Sequence, residues 1–114
     1  MIERLFDQGE RLKSFPFLLI YEKVEHKGPH PLKVGFSVPK KNIRSAVLRN
    51  RIKRLMREAY RTTAPEALKT IPEQFILMIL YIPSKELEYA KIEAGIVTLM
   101  KTFLTKIGNS ETEN

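Results

Sequence analysis

Eight consecutive apolar residues, Phe75-Ile-Leu-Met-Ile-Leu-Tyr-Ile82, set the tightest limit on the fold. A bilayer span needs roughly 18 to 20 such residues, so this run is too short to cross a membrane. It suits a buried strand, being of strand length and continuously apolar. Residues 74–82 are therefore expected to form a central strand. The chain has 114 residues and is 43% hydrophobic, enough for one domain with one modest core. That domain is expected over residues 1–108, with a disordered polar tail at 109–114. There are no cysteines, which excludes disulfides and thiolate metal sites and makes a reducing cytoplasm the expected compartment. The start, Met1-Ile-Glu-Arg, has neither the charge order nor the apolar stretch of a signal peptide.

Around the central run the other elements can be placed by periodicity. Residues 2–8 read as a short amphipathic helix, cut off at its start and stopped by Gly9. Residues 15–24 read as a strand with Pro16 at its beginning or on an edge, because proline cannot donate to a ladder. Residues 26–31 are a turn. Residues 32–38 alternate, with apolar side chains at 32, 34, 36 and 38, and read as a half-buried strand paired with the first. A long helix is expected from about Ser45 to about Thr62, closed by Pro65, with 68–72 as a linker. The last helix is expected to start at Ser84, a plausible N-cap, and to end at Gly108. Its acids come early and its lysines late, matching the helix dipole. The order helix, strand, strand, helix, strand, helix predicts an α+β fold, a small mixed sheet with helices packed on one face.

Charge is concentrated rather than spread. Of a formal net charge of +7, the segment from Lys40 to Arg61 holds nine basic residues and one acid, Glu58. The rest of the chain is close to neutral, with eleven basic and twelve acidic residues. A neutral domain with one positive element is the footprint of a polyanion-binding protein. Stepping about 100° per residue from Arg49 at zero, Leu55, Leu48, Ala59, Ile52 and Met56 fall between about 240° and 340°, an apolar arc able to dock on a sheet. Arg49, Lys53, Arg57, Asn50, Arg61 and Arg54 fall between 0° and about 140°, and Arg51 stands apart at about 200°. An ordinary solvated helix mixes signs at i,i+4, whereas Arg49, Lys53, Arg57 and Arg61 repel one another at that spacing until a polyanion binds. Arginine can grip phosphate bidentately, and Asn50 offers both a donor and an acceptor.

Catalytic groups are scarce. His26 and His30 lack the acid and helix of a zinc-binding motif and read as loop residues, with no metal site expected. There is no nucleophile elbow, no phosphate-binding loop and no paired-carboxylate arrangement, so no catalytic residue is assigned. Alternation places Phe15, Phe17, Leu19 and Tyr21 on one strand face, which is either core or a stacking surface for single-stranded nucleotides.

Two stretches carry a resemblance. Leu32-Lys-Val-Gly-Phe-Ser-Val-Pro-Lys-Lys41 and Ala46-Val-Leu-Arg-Asn-Arg-Ile-Lys-Arg-Leu-Met-Arg-Glu58 closely resemble the protein subunit of bacterial ribonuclease P. The family's Arg-Asn-Arg helix, continued as Lys-Arg-x-x-Arg, matches Arg49, Asn50, Arg51, Lys53, Arg54 and Arg57. The resemblance implies a non-catalytic subunit of a ribonucleoprotein endoribonuclease, one that binds a large catalytic RNA and helps it remove the 5′ leader from precursor tRNA. Mg²⁺ would be held by the RNA. It implies a left-handed strand–helix–strand crossover carrying the basic helix, as in the second-domain fold of a small-subunit ribosomal protein, against the usual right-handed rule. The RNA-binding set it implies is Arg49, Asn50, Arg51, Lys53, Arg54, Arg57 and Arg61 with Lys40 and Lys41. A cleft between sheet and first helix would take the leader, lined by Phe6, Ile2, Ile20 and Tyr21. Ile2 and Ile20 stand where relatives often have aromatics, which favours backbone-directed leader contact over base stacking. Partners beyond the two RNAs are not implied; the protein itself is expected to be monomeric and away from membranes.

Two other readings compete: a generic binder of double-stranded RNA, and a DNA-binding regulator. The second is disfavoured because the basic helix is embedded between strands rather than in a helix-turn-helix. If about five cations meet phosphates, log affinity should fall against log salt with a slope of about −4, and Arg49 should account for about one unit of it.

Overall fold

The computed structural model describes residues 2–25, 32–69, 71 and 73–112, the side chains of 2–4 and 109–112 excepted. Its elements are α1 (Ile2–Gln8), β1 (Glu10–Ser14), β2 (Phe17–Val24), β3 (Leu32–Ser37), α2 (Ala46–Thr63), β4 (Gln74–Tyr81) and α3 (Tyr89–Thr112), with a 3-10 turn at Glu66–Lys69. The four strands form one sheet in the order β1-β2-β4-β3. The class is α+β with a mixed sheet, as expected. The turn containing His26 and His30 lies outside the described residues.

The apolar run does form an interior strand. β4 pairs antiparallel with β2 from Phe17 opposite Tyr81 to Val24 opposite Gln74, and parallel with β3 from Leu32 opposite Phe75 to Ser37 opposite Leu80. The expected pairing of residues 32–38 with residues 15–24 is therefore wrong, because β4 lies between them. A parallel neighbour needs a long crossover, and α2 provides it. The sheet also has a strand that the sequence reading missed. β1 pairs antiparallel with β2, Leu12 opposite Leu19. With only Leu12 apolar, it follows the pattern of an edge strand, where Arg11 and Lys13 discourage pairing with other chains. Pro16 sits in the turn before β2, where no N–H is needed and its carbonyl accepts from Ile82 N at 3.0 Å.

Alternation divides the sheet into two faces. On one, Phe17, Leu19, Tyr21, Phe75, Leu77, Ile79 and Tyr81 are buried in a single core with Ile52, Met56 and Ala59 of α2 and Ile92, Ile96, Leu99, Met100 and Phe103 of α3. Tyr21 and Phe75 each meet Phe103 edge-on, with ring centroids 5.1 and 5.5 Å apart, the preferred aromatic geometry. On the other face, among the described residues, α1 packs and the long helices do not. Leu5 and Ile20 are both buried, and a Cβ on Gly9 would come within 2.8 Å of Ile20 Cγ2 and 2.5 Å of the Leu5 carbonyl oxygen. The placement of helices on one face thus holds for α2 and α3 but not for α1.

Two helix limits differ from expectation. α3 begins at Tyr89 rather than at Ser84, because Tyr81 holds the intervening turn by its hydroxyl, which donates to Lys85 O at 2.7 Å and accepts from Leu87 N at 3.0 Å. The helix also passes through Gly108 to Thr112. A helical glycine costs about 1 kcal/mol but does not end a helix on its own.

The Gly9 contact makes a specific demand. Gly9→Ala should lower the urea midpoint, by an overpacking cost of about 1–3 kcal/mol, with the slope unchanged. Alkaline pH is a second probe. Burial is the largest cause raising the phenol pKa values of Tyr21, Tyr60 and Tyr81. The folded state then favours the protonated phenols, so their stabilisation is complete below the unfolded pKa of about 10 and is lost as pH rises through the higher folded values. Thermal midpoints should fall above about pH 10, and less steeply in Tyr60→Phe.

Candidate nucleic-acid interface

α2 starts where the sheet ends. Ser45 caps it, its hydroxyl accepting from Leu48 N at 3.2 Å. The helix docks through Ile52, Met56 and Ala59, with Leu48 and Leu55 partly buried, which is the predicted apolar arc. The arc is wider than predicted. Tyr60, at about 20° on the wheel, also faces inward and meets Phe36 edge-on at 5.9 Å. Arg49 lies between Met56 and Tyr60 on that wheel, so its side chain is drawn to the margin of the core. Its Nη1 donates to Ile43 O at 3.0 Å and to Arg44 O at 2.8 Å. Arg49 thus holds the 38–45 loop against the helix.

The other cations between Lys40 and Arg61 separate into two groups. Arg51 donates through Nη2 to Glu86 at 2.7 Å, and Arg61 through Nη2 to Glu58 at 2.6 Å. The Glu58 bond raises the Arg61 pKa further, so that guanidinium stays charged. Lys40, Lys41, Arg44, Lys53, Arg54 and Arg57 make no ion pair or side-chain hydrogen bond with a described residue. Asn50 is exposed beside them. The free cations therefore lie on the loop and on the outer face of α2, and Arg44 is one that sequence reasoning left out of the site. Its signal was its place in the same short loop as Lys40 and Lys41.

The loop is fixed at its other side too. Asn42 Nδ2 donates to Tyr81 O at 3.1 Å, joining the ends of β3 and β4. The same end of the sheet carries the last row of its second face, Lys13, Leu18, Leu80 and Ser37, aligned across all four strands. Lys40 follows Ser37 by three residues. The basic loop and this end of the second face are therefore adjacent.

That second face is a shallow apolar floor. Leu18, Ile76, Met78 and Leu80 are half-buried, Arg11 and Lys13 edge it on β1, and Lys33 edges it on β3. α1 forms one wall; Arg11 Nη2 donates to Phe6 O at 2.6 Å, and Phe6 is half-buried there. Of the three residues assigned to a leader cleft whose side chains are described, Phe6 has this placement. Ile20 points to the same face as the floor but is fully buried beside α1. Tyr21 is corrected: as an odd-numbered residue of β2 it points into the opposite face, against Phe75 and Phe103. The side chain of Ile2 lies outside the described residues. The floor residues Leu18, Met78 and Leu80 were missed, although strand alternation alone places them with Ile20. Phe17, Leu19 and Tyr21 are core, while Phe15 is 73% exposed in the turn.

Among the described residues no group of three or more His, Asp or Glu is placed to hold a metal ion, and no helix is long and apolar enough to cross a membrane. Among the described residues, a sheet with one covered face and one basic-edged face lies beside a cationic helix and loop, the layout expected of the polyanion-binding class. The chain belongs to the ribonuclease P protein family: the model of the family described as Ribonuclease P matches residues 1–104. A ribonuclease P protein component of Chlorobaculum tepidum is 56% identical over 63 residues, covering 53% of this chain and 41% of that one. One of Clostridioides difficile is 37% identical over 91 residues, covering 78% of this chain and 75% of the relative. The chain thus spans under half the length of the Chlorobaculum relative. The fold is that of the ribonuclease P protein of Thermotoga maritima, with TM-score 0.68, 22% identity and 89% of each chain covered. The Staphylococcus aureus protein superposes equally well, with TM-score 0.68, 24% identity, and 89% and 86% covered.

The bonding pattern revises the salt expectation. Arg57→Ala should reduce the salt slope of RNA binding by about one, as expected for a phosphate contact. Arg49→Ala should change the slope less but release the loop, seen as faster tryptic cleavage after Lys40 and Lys41. Equal slope losses with no change in cleavage would place Arg49 in the contact surface instead.

Proposed function

We propose that this chain is the protein subunit of ribonuclease P, acting with a catalytic RNA to remove the 5′ leader from precursor tRNA. The observation that carries the reading is the position of the basic loop at one end of the sheet, where it connects two surfaces that lie on opposite sides of that sheet. One is the loop and helix bearing Lys40, Lys41, Arg44, Lys53, Arg54 and Arg57; the other is the basic-edged floor of Leu18, Met78 and Leu80 beside Phe6. A folded RNA held on the first can place a single strand along the second.

In this reading the chain supplies no reacting group. Arg54, Arg57 and Lys53 neutralise phosphates of the catalytic RNA, with Asn50 offering hydrogen bonds to a base edge or ribose hydroxyl. Lys40, Lys41 and Arg44 face the junction between RNA and leader. Arg11, Lys13 and Lys33 follow the leader's phosphates while the aliphatic floor meets its sugars and bases without a stacking ring. Mg²⁺ would be held by the catalytic RNA rather than by residues of this chain, and would supply activation of the attacking water there. Neutralising phosphates near that centre lowers the metal concentration the RNA needs. The place of action is the cytoplasm, and the precursor tRNA with its leader is the substrate.

The test is reconstitution. Added to a bacterial ribonuclease P RNA at low Mg²⁺, the chain should stimulate cleavage of a precursor tRNA with a leader of several nucleotides. Leu80→Asp on the floor should raise KM for that substrate, with little effect on one whose leader is a single nucleotide. No stimulation by the wild-type chain would reject the reading; equal binding to any RNA duplex would favour a generic double-stranded RNA binder.

A further inference from the structure

Arg51 is set apart from the other cations of α2, at about 200° on the wheel, and turns toward the connection between β4 and α3. There its Nη2 meets the Glu86 carboxylate at 2.7 Å, across 35 positions of sequence. The carboxylate is not on a loose loop. The residues on either side of it are bonded to one hydroxyl: Tyr81 donates to Lys85 O and accepts from Leu87 N. The Tyr81 ring is fully buried and meets Phe17 edge-on at 6.2 Å. Its carbonyl receives Asn42 from the basic loop. One buried tyrosine therefore positions both the cationic loop and the single acid opposite Arg51.

The charge arithmetic differs from that of the neighbouring cations. A paired Arg51 adds almost nothing to the field that draws phosphates, unlike Lys53, Arg54 and Arg57. Yet Glu86 engages one nitrogen of the guanidinium, and the Arg51 side chain remains 55% accessible. Arginine carries five N–H donors in a fixed fork. The remaining donors stay accessible beside the Glu86 contact, which limits their orientation, while the carboxylate offsets the charge. Such a group rewards an acceptor in the right place and gains little from a phosphate at large.

We propose that Glu86 is a specificity-determining positioning residue: it cancels the charge of Arg51 toward undirected phosphates and orients its free N–H groups toward an acceptor on the cognate RNA. This rests on the reading of the chain as a subunit that binds a catalytic RNA. Tyr81 supports it by fixing the turn.

The experiment is equilibrium binding of the full chain, across a salt series, to a bacterial ribonuclease P RNA and to an unrelated structured RNA of equal length. With Glu86→Gln, the unrelated RNA should bind about threefold to tenfold tighter, with a salt slope steeper by about one, as for one added phosphate contact. The ribonuclease P RNA should bind no tighter, or more weakly, so the ratio of the two affinities falls. Glu88→Gln removes an acid from the same connection without touching Arg51, and it should shift both RNAs by the same factor. Tyr81→Phe keeps the ring and should lower the ratio in the same direction as Glu86→Gln; circular dichroism checks that each variant folds, and Glu86→Gln decides the matter if Tyr81→Phe does not. Equal shifts of both RNAs in Glu86→Gln, or an unchanged ratio, would overturn the inference and leave the function standing. A wild-type chain that binds the two RNAs equally would reject the function and the inference with it.

Discussion

Placement of β4 between β2 and β3 governs the rest of the molecule. Its backbone bonds on both sides, over eight residues to β2 and six to β3. Its odd-numbered side chains enter the core under α2 and α3, and its even-numbered ones make the floor of the open face. Because β3 and β4 are parallel, the chain must cross over between them, and the crossover is the cationic helix. That geometry brings the start of α2, the basic loop and the turn after β4 to one end of the sheet. Asn42 and the Tyr81 hydroxyl then fasten the two connections that flank the helix.

The interface follows from how the cations are distributed over this frame. Like charges at i,i+4 on α2 are unfavourable by a few tenths of a kcal/mol per pair until a polyanion arrives. Among the described residues, only some of these cations are left without a partner to relieve that repulsion. Arg49, at the margin of the core, finds carbonyl oxygens instead of phosphate. Arg51 finds Glu86, and Arg61 finds Glu58. The central pair of arginines in the family's signature thus serves architecture and orientation in the free protein. Lys53, Arg54, Arg57 and the loop cations are the ones without a partner among the described residues, and the proposed function gives the phosphate contacts to them. These exposed pairs contribute little to stability, as surface ion pairs generally do; their consequence is which charges remain available.

Much of this was legible from residue order. The apolar run at 75–82 announced an interior strand, and the periodicity of 48–59 announced which face of the basic helix would dock. Both rest on local geometry, since side chains repeat every two residues in a strand and about every 3.6 in a helix. β1 was not legible, because an edge strand with a single leucine and alternating charges looks like a solvated connection. The start of α3 was misread for a related reason: Ser84 has the chemistry of an N-cap, but a buried hydroxyl from Tyr81 claims the following backbone groups first.

By itself, then, the sequence determined where the charge is concentrated, which side chains share a face and which family's motif the helix carries. Tertiary structure decided which strands are neighbours, which face of the sheet stays open, and which arginines are free. The basic helix appears in the sequence as a row of equivalent cations. Their equivalence ends on folding, because a guanidinium's partner is set by backbone and carboxylates brought from elsewhere in the chain. Arg49 meets carbonyls from the preceding loop, Arg51 meets an acid 35 residues away, and Arg57 meets none among the described residues. No local rule distinguishes the three, since their difference lies in contacts that exist only once β4 has taken its place.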